Sequence, residues 1–362
     1  MRTMLFLSPE MPEKSGGGAF TQTLLSVLRG FTDVRFLERR VPLKVGTVQK
    51  LKSIFQGYAK GMTRETADGV LEIVRKERVD VLFANFTYFG KLIERVKREF
   101  PDLRVVSMAH DVEVVLCWHE VLLEGWRGWK KLIGLPSVYV NERKQVALSD
   151  QLICLNERDG EGFAKWYGRK PDAYLPLIIR DACDVNLSRE TVSAPVDEPF
   201  ALFVGSHFPP NVYAMRWWAA NVAPHVKTKL KVVGFGFESL RDELEQTPNM
   251  EVVGAVEDLS DFYRKALFVV SPIFHGSGMK TKTAEALMHG KYLLASDEAL
   301  TGYEMPFPEC GRRCNTADEF IAAVRELELC PVPRFVEHSR NVYLEKYSPH
   351  VMKAILGKVL AT

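Results

Sequence analysis

The chain has 362 residues, 46% hydrophobic and 26% charged, which argues against disorder and leaves room for two domains of roughly 100–200 residues each. A net charge of +2 gives no global pull toward nucleic acid, and no apolar run approaches the ~20 residues that a membrane span needs. The charge is uneven: Met1 to Arg180 carries 29 Lys and Arg against 22 Asp and Glu, and the remainder 19 against 24, so the two halves suit different partners or differ only in surface decoration.

In chain order, short apolar runs alternate with amphipathic stretches. The opening MRTMLFLSPEMPEKSGGG has an apolar run too brief for a signal peptide, and Thr3–Ser8 reads as a first strand. Further strands are expected at Asp33–Leu37, Val79–Ala84, Arg104–Met108, Gln151–Leu155 and Ala173–Ile178. Helical periodicity marks Ala19–Arg29, Arg64–Lys76, Tyr88–Glu99, Val138–Leu148 and Asp159–Trp166. The second half repeats the pattern, with strands at Phe200–Val204, Leu230–Val233, Met250–Val253, Leu267–Ser271 and Tyr292–Ser296. Its helices are expected at Val212–Val222, Glu238–Gln246, Leu259–Lys265, Lys280–His289 and Asp318–Leu329. Unbroken apolar strands alternating with helices imply parallel sheets covered on both faces. The expected organisation is α/β, with two doubly wound Rossmann-like domains facing each other across a cleft. These are an N-terminal domain at 1–180, a polar linker at 181–198, a C-terminal domain at 199–335 and C-terminal helices at 336–362 that pack back toward the first domain.

The segment SPIFHGSGMKTKTAEALMHGKYLLAS carries the clearest chemistry. It reads strand, glycine turn, helix, strand. Gly276 and Gly278 permit close backbone approach, and a helix opening near Met279 or Lys280 turns its free N–H groups toward that turn, an anion site by construction. Lys280 and Lys282 add positive charge, and Glu285 lies one turn beyond Lys282 on the same face. Basic groups for phosphates beside a carboxylate for vicinal hydroxyls suit a nucleotide diphosphate. Solvated lysines paired with Glu285 are the competing reading. In the first half, Gly16, Gly17 and Gly18 precede a helix opening near Ala19, at the carboxyl end of the first strand, where doubly wound folds bind ligands. His110 and Asp111 end the fourth strand in MAHDVEV, and the competing reading is a capping Asp111 beside a structural histidine. Gly234-x-Gly236 lacks the third glycine of a dinucleotide fingerprint, Ser239 standing there. Cys310, Cys314, Cys330 and His338 have irregular spacing for zinc, and reduced thiols are expected.

The Gly276–Gly290 segment resembles the donor motif of retaining GT-B glycosyltransferases, in the large family that builds bacterial surface polysaccharides (glycosyl transferases group 1, family four type). Gly276, Gly278, Lys280, Lys282, Glu285, Ala286 and Gly290 carry the likeness, together with LFVGSHFPPNVYAMRWW, VVGFGFESL, MEVVGAVEDLSDFYRKALFVVSP and SRNVYLEKYSP. It covers essentially all of the second half and is thinner in the first. The resemblance implies that Glu285 binds the donor ribose and that Lys280 and Lys282 face the diphosphate. It implies that Gly205, Ser206 and Asn211 line the donor site with Ser277 and Met279, and that Gly254 and Ala255 pass near the base. His110, with Lys282 and Glu285, is implied in catalysis, and the Gly16–Gly18 loop and Asp111 in acceptor or phosphate contact. Many relatives carry a glutamate at the position of Ser277.

The activity implied by this resemblance is transfer of a sugar from a nucleotide-diphosphate-sugar to a glycan or lipid-linked acceptor, in polysaccharide or glycolipid biosynthesis. The reaction is expected to retain configuration, use no metal or cofactor, and involve no nucleic acid. A catalytically silent nucleotide-sugar-binding protein and a sugar-nucleotide epimerase of the same fold are the alternatives. The expected location is the cytoplasm. Two first-half segments, VPLKVGTVQKLKSIFQGYAKGM and VLCWHEVLLEGWRGWKKLIGLP, mix bases with bulky apolar residues. There Trp118, Trp126, Trp129, Lys130 and Lys131 suit either peripheral contact with the anionic inner face of the plasma membrane or an ordinary packed helix.

Overall fold

The computed structural model describes residues 1–12, 15–42, 46–124, 132–190 and 198–361. The chain divides into two compact units, Met1–Pro176 with Met352–Thr362, and Leu177–Val351. The boundaries expected from the sequence fall at Arg180 and Phe335 instead. Residues 177–190 and 336–351 belong to the second unit because side chains anchor them there. Arg340 Nη1 donates to Asp181 Oδ1 at 2.9 Å and to the Met288 carbonyl at 2.7 Å, and the Tyr343 hydroxyl donates to the Ile179 carbonyl at 2.9 Å.

The first unit runs β1 (Arg2–Pro9), α1 (Gly16–Arg29), β2 (Val34–Val41), α2 (Thr47–Phe55), α3 (Arg64–Glu77), β3 (Val81–Asn85), α4 (Gly90–Glu99) and β4 (Arg104–Ala109). It continues through α5 (Glu113–Glu124), α6 (Leu135–Leu148), β5 (Gln151–Cys154), α7 (Glu157–Tyr167) and β6 (Ala173–Tyr174). The six strands form one parallel sheet in the order β2-β1-β3-β4-β5-β6. β3 is buried throughout, as a strand covered on both faces must be. α3 buries Ala67, Val70, Leu71 and Val74, one stripe at helical spacing, and the Thr63 side chain caps its start.

The second unit holds α8 (Val185–Glu190), β7 (Phe200–Val204), α9 (Pro209–Asn221), β8 (Lys229–Val233), α10 (Arg241–Leu244), β9 (Met250–Gly254), α11 (Ser260–Lys265) and β10 (Val269–Ser271). Then come α12 (Thr281–Met288), β11 (Leu293–Ala295), α13 (Asp297–Leu300), β12 (Gly311–Arg313), α14 (Ala317–Leu329) and α15 (Glu337–Val342). A π-helical turn at Tyr343–Tyr347 leads to α16 (Pro349–Ala361), whose residues from Met352 on belong to the first unit. There the Val359 carbonyl accepts from Arg104 Nη2 at 2.6 Å. The second sheet is also parallel, in the order β12-β11-β10-β7-β8-β9. Chain order therefore reverses direction between β7 and β10, as it does between β1 and β3 in the first sheet. Such switch points open a crevice at the carboxyl ends of the strands.

Three local expectations differ from the structure. The helix foreseen at Glu238–Gln246 is a 3₁₀ turn at Phe237–Leu240 followed by the single turn of α10. Part of the expected linker is α8; residues 191–197 lie outside the described residues. Gly16, Gly17 and Gly18 are not a loop before the helix but its first turn. Ser15 caps that turn, its Oγ accepting from the Gly18 N–H at 3.1 Å. A Cβ on Gly18 would sit 2.0 Å from the Pro12 carbonyl oxygen, so the chain folds back there only because the side chain is missing.

Candidate functional site

At the switch point of the second sheet, β7 runs into Gly205 and Ser206, and β10 runs into the turn that holds Gly276 and Gly278. Gly276 has φ +146° and Gly278 φ +62°, conformations that L side chains rarely adopt. Gly205 packs tightly as well. A Cβ there would lie 2.8 Å from Asn211 Nδ2, and one on Gly234 would lie 1.9 Å from the Gly205 carbonyl oxygen.

The turn feeds α12, which opens at Lys280 with no side-chain cap. Its leading N–H groups therefore keep the partial positive charge of an open helix start. The two lysines beside it differ. Lys280 Nζ donates to the carbonyls of Ser277 at 3.1 Å and Gly278 at 2.9 Å and to Glu298 Oε1 at 2.7 Å. Its charge is spent on shaping the turn. Lys282 is only 9% exposed. It donates to Asn211 Oδ1 at 2.5 Å and lies over the Phe203 ring, 4.5 Å from its centroid. Asn211 in turn donates to the Ser206 carbonyl at 2.9 Å, linking the β7 loop to α12. Burial, reinforced by the Lys280 charge, brings the Lys282 ammonium down to about 7.

Glu285 lies on the same helix. Its Oε2 accepts from the Tyr263 hydroxyl at 2.9 Å, and burial pushes its carboxyl up to about 7 against the pull of that bond and of Lys282. Tyr263, Phe203 and Glu298 drew no notice in the sequence, since only tertiary packing brings them here. Two residues expected near the base are already engaged. The Gly254 carbonyl accepts from the Gly234 N–H at 2.7 Å, and the Ala255 N–H donates to Glu238 Oε1 at 2.6 Å. Met279 is buried, its sulfur accepting from the Leu177 N–H at 3.2 Å.

The first sheet's switch point gathers the other expected residues. His110 follows β4 and is buried; its Nε2 donates to Asn85 Oδ1 at 2.8 Å. Asn85 donates to Ser8 Oγ at 3.1 Å and Thr21 Oγ1 at 3.0 Å, and Thr21 donates to the Gly17 carbonyl at 2.7 Å. One hydrogen-bonded chain thus joins His110 to the glycine turn. The imidazole stacks on Phe86, centroids 3.8 Å apart, and burial lowers it to about 3, so it is neutral near pH 7. Phe86 itself sits at φ +79°, a strained position for an aromatic residue.

Beyond Asp111, Glu113 opens α5, buried, with its Oε2 3.7 Å from Lys60 Nζ; burial pushes it up to about 8. Glu142 on α6 caps that helix. Oε1 accepts from Thr87 Oγ1 at 2.7 Å and the Glu113 N–H at 3.0 Å, and Oε2 from the Val114 N–H at 3.1 Å and Tyr167 at 2.6 Å. Sequence reasoning passed over both Lys60 and Glu142.

Residues 198–328 match the model of a family described as Glycosyl transferases group 1. No curated protein matches the chain in sequence. Among solved structures, a sucrose-phosphate synthase from Thermosynechococcus elongatus superposes with a TM-score of 0.75 at 14% identity, over 100% of this chain and 98% of that one. HepE from Anabaena, in complex with UDP and glucose, gives 0.67 at 11% identity over 99% of both chains. WaaB, a lipopolysaccharide outer core galactosyltransferase, gives 0.61 at 10% identity over 99% of both. The chain shares the GT-B fold of these glycosyltransferases.

Proposed function

We propose that this chain, whose second unit carries a group 1 glycosyl transferase domain, transfers a sugar from a nucleotide-diphosphate-sugar to a hydroxyl of a glycan or lipid-linked acceptor. The observation that carries the reading is Lys282. This buried ammonium has one hydrogen-bond acceptor, Asn211, among the described residues, and it stands beside the uncapped start of α12. A diphosphate supplies the negative charge that the ammonium and the helix start both lack. As the sugar–oxygen bond breaks, charge grows on the leaving diphosphate, and these groups are already oriented to stabilise it. Glu285, one turn further, accepts hydroxyls of the ribose. HepE was solved with UDP and with UDP-glucose, which supports a nucleotide sugar as donor.

The reaction proposed keeps configuration at the sugar and needs neither metal nor cofactor. Acceptor contact is assigned to the first unit, at His110, Asp111 and the Gly16–Gly18 turn. A neutral His110, fixed by Asn85 and Phe86, is suited to orienting a hydroxyl by hydrogen bonding.

A lipid-linked acceptor on an anionic cytoplasmic membrane face is part of the proposal. On α2, Val48 (82% exposed), Leu51 and Phe55 (89% exposed) share one side of the helix, with Lys50 and Lys52 nearby. On α5, Trp118 and Leu122 are exposed one turn apart. Trp126, Trp129, Lys130 and Lys131 lie outside the described residues. Among those described, no helix is long and apolar enough to cross a membrane.

The test is a thermal-shift panel of nucleotide sugars, followed by donor turnover with Lys282→Ala and Glu285→Ala. Both variants are expected to remain folded and to lose most transfer. Unchanged turnover in both refutes the assignment, and tight donor binding by the wild type without transfer or hydrolysis marks a binding protein instead.

A further inference from the structure

Tyr263 stands on α11 and reaches the helix that carries Glu285. Its ring is fully buried and lies flat against the His289 imidazole, just past the end of α12, with centroids 4.6 Å apart and planes 11° apart. Its hydroxyl donates to Glu285 Oε2 at 2.9 Å. A phenylalanine would fill the same space without the need to find a partner for a buried polar atom. The hydroxyl is thus spent on one oxygen of one carboxylate. The other oxygen, Oε1, accepts no hydrogen bond among the described residues.

A carboxylate grips a vicinal diol when its two oxygens lie side by side with free lone pairs facing both hydroxyls. The last torsion of a glutamate is broad and roughly two-fold, so the side chain alone does not hold that plane. The bond from Tyr263 holds it. Oε2 takes the phenol and keeps a second lone pair, while Oε1 stays open. The His289 stack restrains the ring in turn, which lets it act as a fixed strut.

We infer that Tyr263 is the positioning residue that orients Glu285 toward the two ribose hydroxyls, and so sets the preference for ribonucleotide over deoxyribonucleotide donors. The inference rests on the reading that Glu285 grips the ribose. It adds the residue that makes the grip selective.

The experiment is calorimetric titration of the full chain with UDP, GDP and ADP. The tightest of the three is then compared with its 2′,3′-dideoxy analogue. The wild type binds the ribonucleotide more tightly. Tyr263→Phe lowers ribonucleotide affinity about tenfold, the scale of one hydrogen bond to a charged group, and leaves the dideoxy analogue unchanged, so the ratio falls toward one. A purely structural role would weaken both ligands together. Glu285→Gln, run in parallel, separates the two claims. If none of the three nucleotides binds, if the wild type shows no ribose preference, or if Glu285→Gln keeps it, the ribose reading fails and the inference with it. If Glu285→Gln loses the preference and Tyr263→Phe keeps it, only the role of Tyr263 is overturned. Should Tyr263→Phe not fold, His289→Ala withdraws the stacked ring and spares the hydroxyl. A reduced ratio then supports the strut, and an unchanged one overturns it.

Discussion

Replacing Lys282 with methionine is expected to make the empty protein more stable while abolishing donor binding. Burial holds the ammonium at about 7 instead of 10.5, which corresponds to a penalty of about 5 kcal/mol on the charged form. That figure is already net of the bond to Asn211 Oδ1 and the contact with the Phe203 ring, both of which favour the charged form. Methionine is close in volume and removes the charge, so a net gain of about 1–4 kcal/mol is expected at pH 6, or about 2–16 °C in the melting temperature of a unit this size. The pH dependence fixes the sign. Below about 7 the lysine is charged in both folded and unfolded chains and the full penalty applies. Between there and 10.5 the folded chain is neutral and the unfolded chain still charged, so wild-type stability rises with pH and the advantage of the methionine variant shrinks. Scanning calorimetry of the ligand-free chain at pH 6 and pH 10 reads the stability, and titration with the best nucleotide sugar reads binding. A variant that melts lower than wild type yet still binds donor would show that Lys282 serves the fold and not a ligand.

The same geometry leads to three further outcomes. Donor affinity should peak near pH 7, because Lys282 loses its charge above about 7 and Glu285 loses its ionised form below about 7, with Tyr263 and Lys280 the other groups bearing on the pair. Titration with a nucleotide sugar, whose diphosphate carries no proton in this range, should show both limbs in the wild type and only the alkaline one in Glu285→Gln. Glu142→Ala should destabilise the first unit by about 3 kcal/mol or more, since four donors, two of them the leading N–H groups of α5, lose their acceptor; a loss under about 1 kcal/mol in urea unfolding would refute the capping role. The double variant Val48→Glu with Phe55→Glu should no longer co-sediment with vesicles rich in anionic lipid at low salt, with its melting temperature preserved; a wild type that never co-sediments ends the membrane reading.

The inner strands were legible because β1, β3, β4 and β7 are short apolar runs buried on both faces, and they fall within a few residues of their expected places. What escaped was non-local or against propensity. α5 begins at Glu113 because Glu142, twenty-nine residues on, caps it, and no local pattern announces that. Three successive glycines read as a loop because glycine is a weak helix former. They form a helical turn because Ser15 caps it and the space beside Gly18 admits no side chain. The break at Gly236, with φ +87°, replaces an amphipathic pattern by a 3₁₀ turn. In the site, the spacing of Lys282 and Glu285 was enough to place both on one helix. The division of labour between the two lysines was not readable, since it depends on Glu298 and Asn211, which the fold brings in from other elements.

Charged groups are answered to different degrees in this chain, and the contrast bears on fold and function. Glu142 is buried with both oxygens doubly occupied by donors of its own unit. Such a group is satisfied as it stands, and a ligand could add little to it. Lys280 is likewise answered, by two carbonyls and a carboxylate. Lys282, buried, and Glu285, half-buried, share one helix with a single hydrogen-bonding partner each among the described residues, and desolvation moves each toward its neutral form. A lysine and a glutamate left half-partnered this close together are costly to keep, and a directly bridged pair would remove most of that cost. One turn apart on α12 the two could bridge directly, but Asn211 engages one side chain and Tyr263 the other. The donor proposed bears negative charge at one end and hydroxyls at the other, the two features these half-partnered groups would meet.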